Sequence, residues 1–386
     1  MKKQSLILFL SASLLLVGCG SSSNGIVPSG AKEVDISSAS KGLSTAATAL
    51  SEGDSFGLSV DKASMSLTAD VANGGGYCRN SSCSYFMNQY VVSLEAKDMS
   101  LAINAKGLQS KNVNDVAASA IGSGSITGKF SSPSSVKSGM NAEVSFDYSD
   151  MKGAGYIKDG VAYADLSNQN FLNFIGLAYS MVASGSGSLS IAAGKYTSGT
   201  AILSSDNLPL LSTNIKSSIV NAISSIAPTI TSYSDFIKSY SYDNGNYALN
   251  FSLTKDNLAA FINKASSSSS SSAAASSSNN ANSIMSAYAS FFNITTFEMC
   301  LVYGTKGLVS YEEKVDVSVD TTLGEMSDKL VSISAISSEG AVPSQYRDVK
   351  EKIAFKTNSK VNFLADDDVK VTYPSDLASY TPFASK

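Results

Sequence analysis

Apolar and polar residues alternate with a period of two along many stretches of this 386-residue sequence, and this alternation constrains the fold most strongly. Phe56, Leu58 and Val60 alternate with polar neighbours. Ala63 and Met65 do the same after a shift of phase. Alternation is typical of strands that bury one face, and the shift of phase predicts a β-bulge. The same pattern predicts strands at 92–96, 99–105, 144–148, 247–253, 308–319, 330–336, 353–363 and 369–373.

Tight turns and a few helices complete this pattern. The pairs Asp159-Gly160 and Asn244-Gly245 are typical of two-residue hairpin turns, and strands joined by such turns form an antiparallel meander. Apolar residues at helical spacing predict helices at 39–50, 171–182, 215–226, 258–262 and 285–292. The predicted fold class is therefore α+β, with an antiparallel sheet and few helices.

The N-terminus has the layout of an export signal. Lys2 and Lys3 precede an apolar run at 6–17, which is shorter than the roughly 20 residues that a transmembrane helix needs. The run ends in Leu-Val-Gly-Cys at 16–19, which resembles the lipobox of bacterial lipoproteins. We therefore predict that residues 1–18 are a signal peptide and that Cys19 carries the lipid that holds the protein on a membrane.

The rest of the chain divides into a tether and a folded body. Residues 19–30 are mostly Ser, Gly, Asn and Pro, and they predict a flexible lipidated tether with a reach of about 20 Å. Residues 31–386 are predicted to form one domain with a flexible Ser/Ala-rich insertion at 266–282, although the length also allows two domains. The expected location is the cell envelope outside the cytoplasmic membrane, and Gly20 permits sorting to an outer membrane.

Charge and missing residue types exclude several functions. The sequence has 28 basic and 32 acidic residues and only two arginines, so a nucleic-acid partner is not expected. It contains no histidine, which removes Ser-His and Cys-His catalysis and His-ligated zinc. The Ser-x-x-Lys pairs at 38–41 and 134–137 are expected by chance, and the acidic run 366–368 lacks the spacing of a calcium loop. We predict no enzyme, no cofactor and no metal.

Three cysteines follow Cys19. Cys78 and Cys83 bracket four residues in a glycine-rich loop, and we predict that they form a disulfide in the oxidising compartment outside the cytoplasm. Cys300 lies in a strand-like run and is predicted to be a buried free thiol. A bridge from Cys300 to the loop is the alternative.

The predicted helix at 171–182 is apolar on nearly every side. A helix of this kind must be buried in a core, inserted in lipid or placed along an apolar binding site. The apolar side chains that would line such a site are Phe171, Leu172, Phe174, Ile175, Leu177 and Met181.

Several features of this sequence together resemble those of a known protein family. They are the lipobox, the short first helix, the long antiparallel strands, and the segments Gly-Tyr-Ile-Lys-Asp-Gly-Val-Ala-Tyr at 155–163 and Val-Thr-Tyr-Pro-Ser-Asp-Leu-Ala-Ser-Tyr at 371–380. From residue 39 to 386 the chain resembles the half-barrel periplasmic lipid and lipoprotein carriers of the LolA and LppX type. The resemblance implies a curved antiparallel half-barrel with helices packed on or plugging its concave face. It also implies a slot that binds or shuttles acyl chains without a covalent step. The alternative is a solid core in an envelope or surface interaction lipoprotein with no small ligand.

Overall fold

The computed structural model describes residues 26–79, 82–132, 142–182, 191–203, 230, 232–243, 245–269, 287–333 and 342–383. At 51, 73–79, 82–88, 132, 142, 178–182 and 266–269 it describes the backbone alone. The predicted signal peptide, Cys19, the start of the predicted tether and the predicted helix at 215–226 lie outside these residues. The side chain of Met181, which was predicted to line an apolar site, also lies outside them.

The chain folds into one curved, open sheet of 13 strands with few helices, so the predicted α+β class is confirmed. Neighbouring strands are antiparallel except for the pair β7 and β13. The sheet order is β1-β8-β9-β10-β11-β12-β2-β3-β4-β5-β6-β7-β13. Two meanders, β2 to β7 and β8 to β12, are joined side by side where β12 pairs with β2.

The strands are long in the middle of the sheet and short at its flanks. They are β1 Lys32–Glu33, β2 Phe56–Arg79, β3 Ser82–Lys106, β4 Ala117–Ser132, β5 Ala142–Lys158, β6 Val161–Leu166, β7 Gly194–Ala201, β8 Ile237–Tyr242, β9 Asn246–Ser252, β10 Phe292–Gly304, β11 Gly307–Thr322, β12 Lys350–Leu364 and β13 Thr381–Pro382. The helices are α1 Ile36–Glu52, α2 Gln169–Val182, α3 Lys255–Ser269 and α4 Leu323–Ser332.

Three helices pack on the same face of the sheet, which we call the front face. Helix α1 begins at Asp35, whose side chain accepts a hydrogen bond of 2.8 Å from the Ser37 N–H, and it buries Leu43 against Tyr303 of β10. Helix α3 places Phe261 against Phe251 of β9, with ring centroids 5.5 Å apart. Helix α2 lies over β5. In α1, the Asp35 cap satisfies a free backbone N–H at the start of the helix, and packing of the apolar stripe of the helix supplies most of its stability.

A line of β-bulges crosses the middle of the sheet. Lys62 of β2, Asp98 of β3 and Asp150 of β5 have φ values of 55°, 50° and 51°, and Gly124 of β4 has a φ of 152°. The register of each strand shifts beside these residues. The bulge predicted between Val60 and Ala63 is confirmed. Aligned bulges bend neighbouring strands at one level, which accounts for part of the curvature of the sheet.

The two ends of the described chain cover the opposite, back face at the flanks. Ile26 packs on Ala248 and Val302 at β9 and β10. At the other flank, the Tyr373 hydroxyl donates to the Ile157 carbonyl at 2.8 Å, and Lys195 forms an ion pair of 2.6 Å with Asp376. The segment after β12 therefore crosses to β6 and β7 and holds that flank.

Two predicted strands are wrong, and one predicted helix ends earlier than predicted. Leu330 lies in α4 and not in a strand at 330–336, because the capping box of Thr322 and Glu325 starts a helix at the end of β11. Residues 369–373 are irregular, and they bind the sheet through side chains such as Tyr373. Phe292 begins β10 and is not helical, although 287–289 form a helical turn. Residues 334–336 lie outside the described chain.

Other predictions are confirmed by the element bounds. Helices occur at 39–50, 171–182 and 258–262, and Asp159-Gly160 joins β5 to β6. Gly245 lies in the turn between β8 and β9, while Asn244 is not described. Helix α3 continues to Ser269, into the stretch 266–282 that we predicted to be an insertion, and 270–282 lie outside the described residues.

Candidate functional site

The front face carries three rows of mainly apolar side chains that cross seven strands, from β10 to β5. Each row consists of residues directly opposite one another, and such residues point to the same face. We call these the upper, middle and lower rows. The upper row is Phe292, Val319, Ile353, Ala69, Val92, Phe130 and Val144. The middle row is Ile294, Val317, Phe355, Leu67, Leu94, Gly128 and Phe146, and the lower row is Phe297, Val315, Thr357, Met65, Ala96, Ile126 and Tyr148.

Exposure falls from the upper row to the lower row. Val144 is 59% exposed, Ile353 41%, Phe130 39% and Phe292 37%. In the lower row, Val315 and Met65 are buried. Single exposed apolar residues are common, but in this row half-buried Val319, Ala69 and Val92 connect the four exposed side chains, and a continuous apolar strip of this kind is a candidate contact surface. Seven strands spaced about 4.8 Å apart make the rows about 29 Å wide.

The back face behind these rows is polar. Lys352 pairs with Asp320 at 3.0 Å, Lys356 with Asp316 at 2.8 Å and Lys129 with Glu143 at 2.9 Å. These ion pairs join neighbouring strands and are exposed, so each adds little to stability. They identify the back face as the solvent face, and the alternation of the strands therefore points the apolar residues to the front.

Glycine makes room for an aromatic ring in the middle row. A Cβ at Gly128 would overlap the ring of Phe146 on the neighbouring strand. Phe146 also stacks on Tyr148, with ring centroids 5.3 Å apart. The rows therefore end at β5 in two aromatic side chains next to exposed Val144.

A buried carboxyl group lies directly below the lower row. Glu313 of β11 is 1% exposed and accepts hydrogen bonds from the Thr357 hydroxyl at 3.0 Å and the Tyr311 hydroxyl at 3.1 Å. Burial raises the pKa of Glu313, and the two hydrogen bonds offset part of that effect. Burial and the charge of Glu313 also raise the pKa of Tyr311. A buried carboxyl group and a tyrosine hydroxyl bonded to it thus lie at the foot of the apolar rows.

We expect Glu313→Gln to gain about 1 kcal/mol in free energy of unfolding at about pH 8, because the amide carries no buried charge, its oxygen accepts from one hydroxyl and its NH2 donates to the other. The folded state holds the proton of Glu313 more tightly than the unfolded state does. The parent should therefore lose stability as pH rises from the ordinary glutamate pKa through the raised one, and the variant should lose less. Urea unfolding at about pH 4 and about pH 8 measures this. Exposed Glu95→Gln is the control, and parallel losses in the parent and Glu313→Gln would contradict the assignment.

The helix predicted to line a slot packs on the front face, but on the far side of the bulges from the rows. A Cβ at Gly153 of β5 would overlap the ring of Phe171, so this glycine seats the helix. Leu172 is buried. Phe174, Ile175 and Leu177 are half-buried. The structure thus places five of the six predicted slot residues on one helix, next to the rows but not among them.

Two asparagines tie the start of α2 to the bulge of β5. The Asn168 side chain accepts from the Phe171 N–H at 2.8 Å and donates to the Asp150 carbonyl at 2.9 Å. The Asn170 amide donates to the Ser149 carbonyl at 2.7 Å. The helix is therefore held at β5 by its cap as well as by Phe171.

The cysteines differ in what the structure describes. Cys78 and Cys83 are register partners in the hairpin of β2 and β3, but their side chains are not described, so the disulfide stays a prediction. Cys300 of β10 is a buried free thiol, and burial raises its pKa to about 12. Its thiol is therefore protonated and unreactive at neutral pH.

Polar features elsewhere in the described chain are an acidic turn and a groove. Among the described residues, no three His, Cys, Asp or Glu side chains lie close enough to hold a metal ion, and the run 366–368 forms an exposed 3-10 turn after β12. A groove of about 960 Å³ between α4 and the ends of β10 and β11 is lined by side chains of both charges, including Lys255, Asp320 and Lys329. Its polar walls do not suit hydrocarbon.

Comparison with family models, with curated proteins and with solved structures found no match. In the described part of the chain, none of the helices has both the length and the apolar character needed to cross a bilayer.

Sequence reasoning missed the rows as a site. It predicted the strands that contain Val144, Ile353 and Val319, but it did not align them. Phe130 and Phe292 were not assigned to strands. The available signal was the alternation itself, because every apolar residue of one phase in a half-buried strand must reach the same face.

Proposed function

We propose that this chain is a lipid-anchored bacterial lipoprotein that binds or shuttles long acyl chains on the front face of its sheet, without catalysis. The observation that carries the proposal is the upper row, an apolar strip across seven strands in which four side chains are exposed. Covering such a strip with hydrocarbon is favourable by about 25 cal/mol per Å² of apolar surface removed from water. No histidine, metal or cofactor is needed for this step.

The proposed arrangement is a half-barrel whose concave side is the front face. Helices α1 and α3 fill this face at one flank and α2 packs at the other, while the rows lie between and above them. The half-buried side chains of Phe174, Ile175 and Leu177 continue the apolar surface beyond the bulges. Lipidated Cys19 would keep the body within reach of the membrane that supplies the acyl chains.

A second candidate function is an envelope or surface interaction lipoprotein with no small ligand. Burial of Val315, Met65 and Ala96 in the lower row favours it, because this part of the front face is already packed as a solid core. In that case the upper row would be covered by a protein partner.

A charge placed in the upper row tests the two candidates. We expect Ile353→Lys and Val144→Lys to lower the affinity for a fluorescent palmitate analogue about tenfold, because an ammonium buried under hydrocarbon loses its hydration. Both sites are exposed, so folding should be retained. The control is Ser145→Lys, one residue from Val144 on the back face. Binding is measured on a form that begins at Gly20.

The outcome decides between the candidates. Unchanged palmitate binding in both lysine variants, or an equal loss in Ser145→Lys, would remove the rows as the binding surface. No palmitate binding by the parent, together with no lipid in native mass spectra of protein purified from its host, would favour the interaction lipoprotein.

A further inference from the structure

Among the described residues, strand β5 has an unpaired edge over its first half. Residues 142–148 pair with β4 on one side, whereas β6 pairs with β5 only over 154–158. Within the described chain, no strand lies beside the other side of 142–148. The stretch is about 23 Å long. In an antiparallel strand half of the backbone N–H and C=O groups point to each side, so the free side presents a row of unpaired donors and acceptors.

The first turn of α2 sets the lower limit of this edge. The side-chain amide of Asn170 donates a hydrogen bond to the Ser149 carbonyl, and that of Asn168 donates to the Asp150 carbonyl. Asp150 is also the bulge residue, with a φ of 51°. A strand added to β5 would therefore end beside Tyr148.

The side chains along the edge alternate in chemistry. Val144, Phe146 and Tyr148 point to the front face, where they end the upper, middle and lower rows. Glu143 and Asp147 point to the back face and are exposed. Lys129 of the neighbouring strand β4 forms an ion pair of 2.9 Å with Glu143. On the other side of β5, no strand of the described chain supplies a cation. An added strand would therefore meet apolar groups on one face and carboxylates on the other.

This charge pattern selects against a second copy of the chain. Two β5 edges that paired antiparallel around Ser145 would place Glu143 opposite Asp147, and like charges directly opposite each other destabilise a strand pair. A strand with Lys or Arg at these positions gains opposite-charge pairs instead. Apolar residues at its alternate positions would extend the three rows by one strand.

We propose that the β5 edge binds an extended segment of a partner protein, in which basic and apolar residues alternate, by adding it as a further strand of the sheet. Backbone hydrogen bonds would supply much of the affinity, and the alternating side chains would supply specificity. In the part of the chain that the structure describes, the ribbon formed by β2 and β3 beyond Asp70 and Val91 also lacks neighbouring strands, but its side chains from 73 to 88 are not described. The proposal is independent of acyl binding.

The test uses the mature lipidated chain in detergent and a labelled peptide of about nine residues that alternates lysine with valine. Fluorescence anisotropy measures binding. Methylating the backbone nitrogens along one edge of the peptide should weaken binding about tenfold or more, because it removes the donors to β5 and keeps the side chains. A peptide with glutamate in place of lysine should bind about tenfold more weakly.

A charge reversal in the protein completes the test. The parent should bind the lysine peptide better than the glutamate peptide, and Asp147→Lys should reverse this order of affinities. Glu95→Lys, on the back face of interior strand β3, is the matched control and should leave the preference as it was. The proposal is overturned if the lysine peptide does not bind, if backbone methylation has no effect, or if both variants change binding alike. Palmitate binding, measured separately, reports on the proposed function alone.

Discussion

Tyr303→Ala is expected to lower the free energy of unfolding by about 4 kcal/mol. Tyr303 of β10 is completely buried between the sheet and α1. Its ring lies beside that of Tyr247, with centroids 6.0 Å apart, and its hydroxyl donates to the Ala39 carbonyl at 2.7 Å. Truncation would leave a cavity under α1 as well as remove a hydrogen bond.

The close approach of α1 limits how well this cavity can collapse. A Cβ at Gly42 would lie 2.8 Å from the Tyr247 ring and 3.3 Å from the Tyr303 ring, so the helix already rests on both rings. Tyr303→Phe keeps the ring and should cost about 1 kcal/mol, the net value of the hydrogen bond. Urea unfolding of the three proteins measures both losses. Similar losses for the alanine and phenylalanine variants would show that packing under α1 is not what Tyr303 supplies.

Cys19→Ala is expected to abolish lipid attachment and leave the chain uncut before residue 19. In the proposed lipoprotein the thiol of Cys19 would carry the lipid, and alanine has no nucleophile to replace it. Labelling of growing cells with a fatty-acid probe measures attachment, and the mass of the purified chain reports cleavage. Cys300→Ala is the control, because this thiol is buried and should leave labelling unchanged. Equal labelling of Cys19→Ala and the parent would end the lipoprotein proposal.

The proposed acyl-binding surface lies on strands, whereas the sequence pointed to the helix at 171–182. The helix at 171–182 was predicted to be apolar all round, yet in the structure only Leu172 of its five described slot residues is buried. Among the described residues, the exposed large apolar side chains of the upper row belong instead to strands, at Phe292, Ile353, Phe130 and Val144. The apolar surface of a helix can be recognised within one local segment of the sequence. The residues of a cross-strand row come from strands that lie far apart in the sequence, so no local segment contains the row.

The sequence by itself determined the local elements. Alternation specifies the strands around Phe56, Val144 and Ile353, because one residue in two must reach the core whatever the neighbouring strand is. The shift of phase at Val60 specifies the bulge, and the Asp159-Gly160 pair specifies a hairpin. The strand predicted at 330–336 failed because the capping box of Thr322 and Glu325 outweighs a short apolar run.

Only the tertiary structure decided which strands became neighbours. Ile353 lies opposite Ala69, and Val319 lies opposite Ile353, so the upper row forms only because β12 pairs with β2 across nearly the whole chain. A shift of one residue in that register would send Ile353 to the back face. Pairing of β11 with β12 places Thr357 beside Glu313, and within the described residues the early end of β6 leaves the outer side of β5 without a neighbouring strand. These features depend on contacts between distant segments, and a local pattern carries no information about the partner of a strand.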